Sequence, residues 1–361
     1  MKIAIATDAW FPQVNGVVRT LAATVADLDQ RGYEVELITP EQFRTIPMPG
    51  YSSIDVAIAP RFSARKLLHA FQPDIVHIPT EGPIGWSARG WCLAHGVPYT
   101  SAFHTRFPDY VEARVGIKAE HFWPFFERFH RHSRAVLVAT ASLQLDLTER
   151  GFSNVRRWTR GIDHRLFRPD GDIHPLMAEL PGPILLNVGR VSREKNLEAF
   201  LSLDGPGSKV VVSDGPDFET LQRKYSDVVF LGTLSGLELA SAYRAADCFV
   251  FPSLTDTFGL VMIEALACGT PIAAFPVGGP IDVIGVHGRG VDGDFPATVG
   301  NCDDRLDVAV SKALLKDRDA CSTFAQRFTW AKATDQFLDA LQQAFELSKT
   351  SARETDTHLA G

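Results

Sequence analysis

The stretch Cys248-Phe-Val-Phe251-Pro252-Ser253-Leu-Thr-Asp256-Thr-Phe258-Gly259-Leu260-Val-Met-Ile-Glu264-Ala265 decides the fold reading. Four apolar residues in a row predict a strand buried on both faces, and the polar segment after it breaks the run. From Phe258 to Ala267 the chain is apolar nearly all round, which predicts a helix inside a core. A strand, a turn and a buried helix in that order point to a parallel sheet with crossover helices.

The same alternation extends to both sides. Apolar runs at Ile184–Val188, Lys209–Val212, Val228–Leu231 and Pro271–Phe275 alternate with helical stretches. Upstream, Arg168-Pro169-Asp170-Gly171-Asp172, Pro175 and Pro181-Gly182-Pro183 are too rich in proline and glycine to fold regularly, and they mark a linker. Before it the pattern recurs: strands at Lys2–Thr7, Glu34–Ile38, Ile54–Ile58, Asp74–Ile78, Val97–Phe103 and Ala135–Thr140, with helices such as Val17–Arg31, Gly82–His95 and Phe107–His132. The expected architecture is α/β, two doubly wound Rossmann-like domains facing a cleft. Residues 1–170 are expected to form the first domain and 171–348 the second. Phe328-Thr329-Trp330 opens a last helix expected to cross back to the first domain, and 349–361 is expected to be a flexible tail.

Composition narrows the classes. Of 361 residues, 45% are hydrophobic and 22% charged, which is globular usage and excludes a disordered chain. No run approaches the ~20 apolar residues of a membrane span, and the apolar opening is too short for a signal segment. A cytoplasmic protein, or one peripheral on the inner face of a membrane, is expected. Five scattered cysteines without C-x-x-C spacing argue against disulfides and zinc. Net charge is −7, but residues 1–170 carry 20 Lys+Arg against 17 Asp+Glu, while the rest carries 16 against 26. An anionic partner for the first half alone is expected, and the excess is too small for nucleic acid.

Four segments fall where strands of such a sheet end. In the opening stretch, Asp256 lies at the strand-to-helix turn, as helix cap or ligand group, while Glu264 in a buried helix needs a partner. Eight residues at ~1.5 Å rise place them about 12 Å apart, beyond the ~5–9.5 Å of a glycosidase carboxylate pair. That spacing suits gripping two ends of an elongated ligand, with free backbone N–H groups at the helix start holding an anionic middle. Asn187-Val-Gly189-Arg190-Val-Ser-Arg193-Glu-Lys195-Asn196 follows the first strand of the second half, where Arg190 and Lys195 could clamp a diphosphate as fork and point charge. Gly16 in Asn15-Gly16-Val17 either lets backbone approach a phosphate or permits a turn. His104 ends an apolar strand at the cleft. G-x-G-x-x-G and G-x-x-x-x-G-K-[ST] are both missing, which weighs against oxidoreductases and ATPases.

As a set, Asn15-Gly16-Val17, Gly161-Ile162-Asp163 with Phe167-Arg168-Pro169, Gly189-Arg190 through Lys195-Asn196, Asp214-Gly215-Pro216, the Asp256 to Glu264 segment and Phe328-Thr329-Trp330 resemble a family 4 retaining glycosyltransferase of GT-B fold. The resemblance spans about residues 1–345. It implies a nucleotide-sugar donor whose diphosphate is held by Arg190 and Lys195 with Gly16 nearby. It also implies backbone contacts from Phe258, Gly259 and Leu260, with Asp256 towards the sugar and Glu264 on the ribose. His104 would approach the sugar from the first domain, without serving as general base. Asp256 stands where the family usually has Glu, one methylene longer, and Ser213 where many relatives have Gly. The whole pattern is also similar to bacterial enzymes that glycosylate diacylglycerol or phosphatidylinositol-type lipids. It implies a UDP-sugar ahead of GDP-mannose, a membrane-lipid acceptor, and no metal or other cofactor. A basic, aromatic edge (Arg61, Arg65, Lys66, then Trp123, Phe126, Arg128 and Arg131) would meet an anionic membrane. A soluble sugar acceptor and a non-catalytic nucleotide-sugar-binding protein are the alternatives.

Overall fold

The computed structural model describes residues 1–13, 15–48, 51–104, 106 and 117–359, the side chains of 48, 51–54 and 351–359 excepted. In the first domain the elements are β1 (Lys2–Ala6), α1 (Gly16–Gln30), β2 (Glu34–Ile38), a hairpin β3 (Thr45–Met48) and β4 (Tyr51–Ala57), α2 (Arg61–Phe71), β5 (Ile75–Ile78), α3 (Pro83–His95), β6 (Tyr99–Phe103), α4 (Trp123–His130), β7 (Val136–Val138), α5 (Ala141–Glu149) and β8 (Val155–Arg157). Six of these strands form a parallel sheet in the order β2-β1-β5-β6-β7-β8. Buried Ile3, Ile5, Ile75, Val76 and Val138 account for the continuous apolar runs, because helices cover both faces.

In the second domain β9 (Ile184–Val188), β10 (Ser208–Val212), β11 (Val229–Gly232), β12 (Cys248–Phe251), β13 (Ile272–Ala274) and β16 (Gly300–Cys302) form a parallel sheet ordered β11-β10-β9-β12-β13-β16. Two short strands, β14 (Arg289–Gly290) and β15 (Gly293–Asp294), pair outside it. Counting the sheet's own strands in chain order gives 3-2-1-4-5-6, so the winding reverses between β9 and β12, and a crevice opens there. Helix α6 (Leu260–Ala267) leaves β12 at that crevice, and α7 (Gly278–Val283) follows β13. The final helix α8 (Trp330–Leu359) crosses back: Phe337, Leu341 and Ala344 join the core of the first domain with Ile5, Leu21 and Trp158.

Several readings need correction. The apolar run Ile54–Ile58 belongs to the β3–β4 hairpin rather than to the main sheet. Helix α8 does not stop at Ser348 but runs to Leu359, since neither Gly nor Pro interrupts it before Gly361. Of the helix read over Phe107–His132, residues 107–116 lie outside the described residues, and α4 begins at Trp123. Trp123 and Phe126 do not face outward: they are 3% and 7% exposed, packed with Phe103 in a core cluster. The exposed aromatics nearby are Phe125 and, on α2, Phe62 at 82%. All five cysteines are free and buried.

Candidate active site

The crevice between β9 and β12 gathers the two strongest sequence segments. Asn187 Nδ2 donates to Val250 O at 2.9 Å, tying β9 to β12 near their C-terminal ends. Beyond β9 the chain makes a single 3₁₀ turn, Arg193–Lys195, ending at Asn196 in the left-handed region. Asn196 Nδ2 then donates to Pro252 O at 3.1 Å, so the turn is pinned against the segment leaving β12. Lys195 Nζ meets Asp256 Oδ1 at 2.6 Å as a result. Burial works against a charged Asp256, but the attraction and hydrogen bond of Lys195 outweigh it and hold the carboxyl below its usual range. The Ser253 hydroxyl, three residues before it, also favours the charged carboxyl. Arg190, half-buried, stands at the mouth of β9.

Close backbone packing fixes this floor. A Cβ at Gly215 would sit 2.2 Å from Val191 O, so Asp214-Gly215-Pro216 can press on the loop that carries Arg190 only with glycine there. Ser213 takes φ 125°, a conformation that favours glycine. Under Asp256, a Cβ at Gly279 would meet its carbonyl at 2.8 Å, so the start of α7 buttresses the loop. Gly259 (φ 82°) turns the chain into α6. The first N–H groups of that helix face the crevice, where its dipole favours negative charge.

The first domain closes the other side. Gly16 opens α1 across from Leu260, whose Cδ1 would lie 3.6 Å from a Cβ at Gly16. Thr257 Oγ1 donates to His104 O at 2.6 Å, joining the Asp256 loop to the end of β6. Arg160 Nη2 lies 3.0 Å from His104 Nδ1. A guanidinium only donates, so Nδ1 accepts and the proton resides on Nε2, which is buried without a partner. Burial, and then the Arg160 charge and His77, push the His104 pKa well below the usual imidazole range. His104 is thus a neutral N–H donor, unsuited to act as a base. Phe258 and Leu260 are 7% and 9% exposed, so their backbone rather than their side chains is what they offer.

Glu264 is fully buried, and its expected need for a partner is met twice. Tyr243 OH donates to Oε2 at 3.1 Å, and Arg19 of α1 forms an ion pair with Oε1. Arg19 was missed by sequence reasoning, although its place one turn after Gly16 puts it on the cleft face of α1. Arg160, Thr257 and the Gly278-Gly279 buttress were also missed, because each acts through a contact distant in sequence. Asp256 and Glu264 serve separate environments, the first beside Lys195 and the second between Tyr243 and the opposite domain. A second bridge between domains runs from Ser142 N at the start of α5 to the Asp282 carboxylate of α7 at 3.2 Å.

The chain is similar to known proteins over most of its length. Residues 14–166 match the model of Glycosyltransferase Family 4, and residues 182–304 that of Glycosyl transferases group 1. A GDP-mannose-dependent alpha-mannosyltransferase of Mycolicibacterium smegmatis is 30% identical, over 79% of this chain and 82% of its own. The alpha-monoglucosyldiacylglycerol synthase of Streptococcus pneumoniae is 28% identical, over 76% and 71%. Among solved structures, sucrose-phosphate synthase from Thermosynechococcus elongatus superposes with a TM-score of 0.72 at 22% identity, covering 96% of this chain and 99% of the other.

Proposed function

The chain belongs to glycosyltransferase family 4, is built as a GT-B enzyme, and on that premise we propose that it moves a hexose with retention from a nucleoside diphosphate sugar to a lipid hydroxyl at a membrane surface. The observation that carries the donor half is the Lys195–Asp256 contact at the point where the sheet's winding reverses, beside the start of α6. In this reading Arg190, Lys195 and the N–H groups of Gly259 and Leu260 hold the diphosphate, with Gly16 close by. Asp256 and the Nε2–H of His104 face the sugar. Glu264 takes the ribose when Arg19 gives way.

The chemistry follows from charge. As the bond from C1 to the diphosphate oxygen breaks, positive character grows on the sugar and negative charge on the leaving group. The cations and the helix start stabilise the leaving group, and Asp256 the sugar. The acceptor hydroxyl attacks C1 from the face the diphosphate leaves, and its proton passes to the departing phosphate oxygen. Because protein cations neutralise the diphosphate, no divalent metal is required, and chelation with EDTA should leave transfer intact.

Support for a lipid acceptor comes from α2, where exposed Arg61, Phe62 and Lys66 set an aromatic side chain between cations. The similarity to the alpha-monoglucosyldiacylglycerol synthase of Streptococcus pneumoniae points the same way. No helix among the described residues is long and apolar enough to cross a membrane. Thermal shift with UDP, GDP and ADP, then with their sugars, tests the donor; a UDP-sugar is the first expectation, and GDP-mannose the one suggested by the 30% identical relative. Stabilisation by one nucleoside diphosphate supports the reading, and indifference to all three overturns it. Transfer to diacylglycerol in vesicles, against transfer to free sugars, tests the acceptor.

A further inference from the structure

The first domain holds a second cationic cavity that the transferase reading does not use. It encloses about 850 Å³ between the end of α3, the end of α4 and the loop before β8. The segments that line it, 130–132 and 150–153, lead into the N-terminal ends of β7 and β8. In a parallel sheet that edge lies opposite the cleft, so this cavity and the donor crevice open on different edges. Its walls bring together Arg89, Arg128, Arg131, Arg150 and His132, with Glu127 as the one carboxylate among its lining residues.

Arg89 is the informative member. It is 9% exposed, and no carboxylate among the described residues pairs with it. Its Nε and Nη2 donate instead to Phe129 O (2.9 Å) and Arg128 O (2.8 Å), carbonyls at the end of α4. A helix C-terminus supplies only about half a negative charge, and a buried cation without a counter-ion is costly. Arg128 and Arg131, both exposed, form no ion pair within the described residues and extend the positive field outward. Arg150 alone of the four forms an ion pair among the described residues, with Asp146 Oδ1 at 3.4 Å.

We propose that this cavity is an anion site for a phosphate-bearing ligand, whose oxygens would bridge the guanidinium forks around Arg89. Planar guanidinium groups match phosphate oxygens in pairs, and three of these arginines are short of an acid partner. The ligand is either a free phosphate compound or the headgroup of an anionic lipid. His130 lines the cavity too, and its Nε2 lies 3.2 Å from Glu81 Oε1, beyond the C-terminal end of β5.

The test uses the full chain carrying Arg190→Ala and Lys195→Ala, so that the donor crevice does not report. Titration with inorganic pyrophosphate should reveal one site, weakened at least tenfold by adding Arg128→Ser and Arg131→Ser. The charge-matched pair Arg223→Ser and Lys224→Ser, exposed in the second domain, should leave it unchanged. Sedimentation with phosphatidylglycerol and phosphatidylcholine vesicles separates the sources. Loss of phosphatidylglycerol binding together with pyrophosphate binding supports a lipid headgroup; loss of pyrophosphate binding alone supports a free phosphate compound. No pyrophosphate site, or equal weakening by both charge pairs, overturns the proposal.

Discussion

Removing Lys195 should have two separable effects, because it touches Asp256 and, on the proposal above, also holds the donor. At 2.6 Å the pair attracts by about 6 kcal/mol in an effective dielectric of about 20. Desolvation costs several kcal/mol per ion, and both side chains remain partly open to water, at 31% and 24%. The net coupling is therefore about 0.5–3 kcal/mol, as for residues in direct contact. A double-mutant cycle with Lys195→Ala and Asp256→Ala, read by urea unfolding, measures it. Turnover reports the second effect: loss of one preorganised charge contact costs ~10²–10³ in rate. In Lys195→Ala, burial is left as the main influence on the Asp256 carboxyl, so its pKa should rise above the usual range and transfer should fall as pH drops towards 5. A coupling near zero, with turnover and its pH profile unchanged, would refute the reasoning.

Other expectations concern neighbouring positions. Ser213→Gly should stabilise the second domain by roughly 1–2 kcal/mol, since glycine accepts φ 125° without strain; a lower unfolding midpoint would contradict this. Glu264→Ala should weaken binding of the free nucleotide, whereas Asp256→Ala should spare that binding and lose transfer; calorimetric titration would refute the division if both lost affinity equally. Burial lowers His77 to about 3, and it also holds His104 neutral. Unfolded imidazoles take up protons below about pH 6.5, so stability should fall with pH from there, by ~1.4 kcal/mol per unit for each residue, until the folded pKa is reached. Urea midpoints at pH 7.5 and 5.5 should show the slope, and the same slope in a His77→Gln, His104→Gln variant would contradict it. Replacing Arg61 and Lys66 by Ser should reduce sedimentation with phosphatidylglycerol vesicles and leave nucleotide binding unchanged; undiminished sedimentation would remove α2 as the docking face.

The architecture was legible because strands in doubly covered parallel sheets are short, mostly apolar runs, and those runs are visible without an alignment. Strand β8 was not, because Val155-Arg156-Arg157 forms a sheet edge, where charged side chains are tolerated and block further pairing. Trp123 and Phe126 misled for a related reason: aromatics beside arginines suit a membrane interface, yet here the rings turn inward and the cations stay outside. Within the site, the segments were readable but their contacts were not. Lys195 and Asp256 are 61 residues apart, and Arg19 and Glu264 are 245 apart and in different domains. Only the winding order of the second sheet brings the first pair together, and only the closing of the cleft brings the second.

The central claim is that the crevice between β9 and β12 is where a nucleoside diphosphate sugar is held and cleaved. Purified wild type, Arg190→Ala and Asp256→Ala should be given UDP-glucose or GDP-mannose with diacylglycerol vesicles, and both the released nucleoside diphosphate and the anomeric configuration of the glycolipid followed by NMR. Wild type should give an α-linked product from an α-linked donor, formed at least a hundredfold more slowly by either folded variant. Equal turnover by all three, or a product of inverted configuration, would contradict the claim.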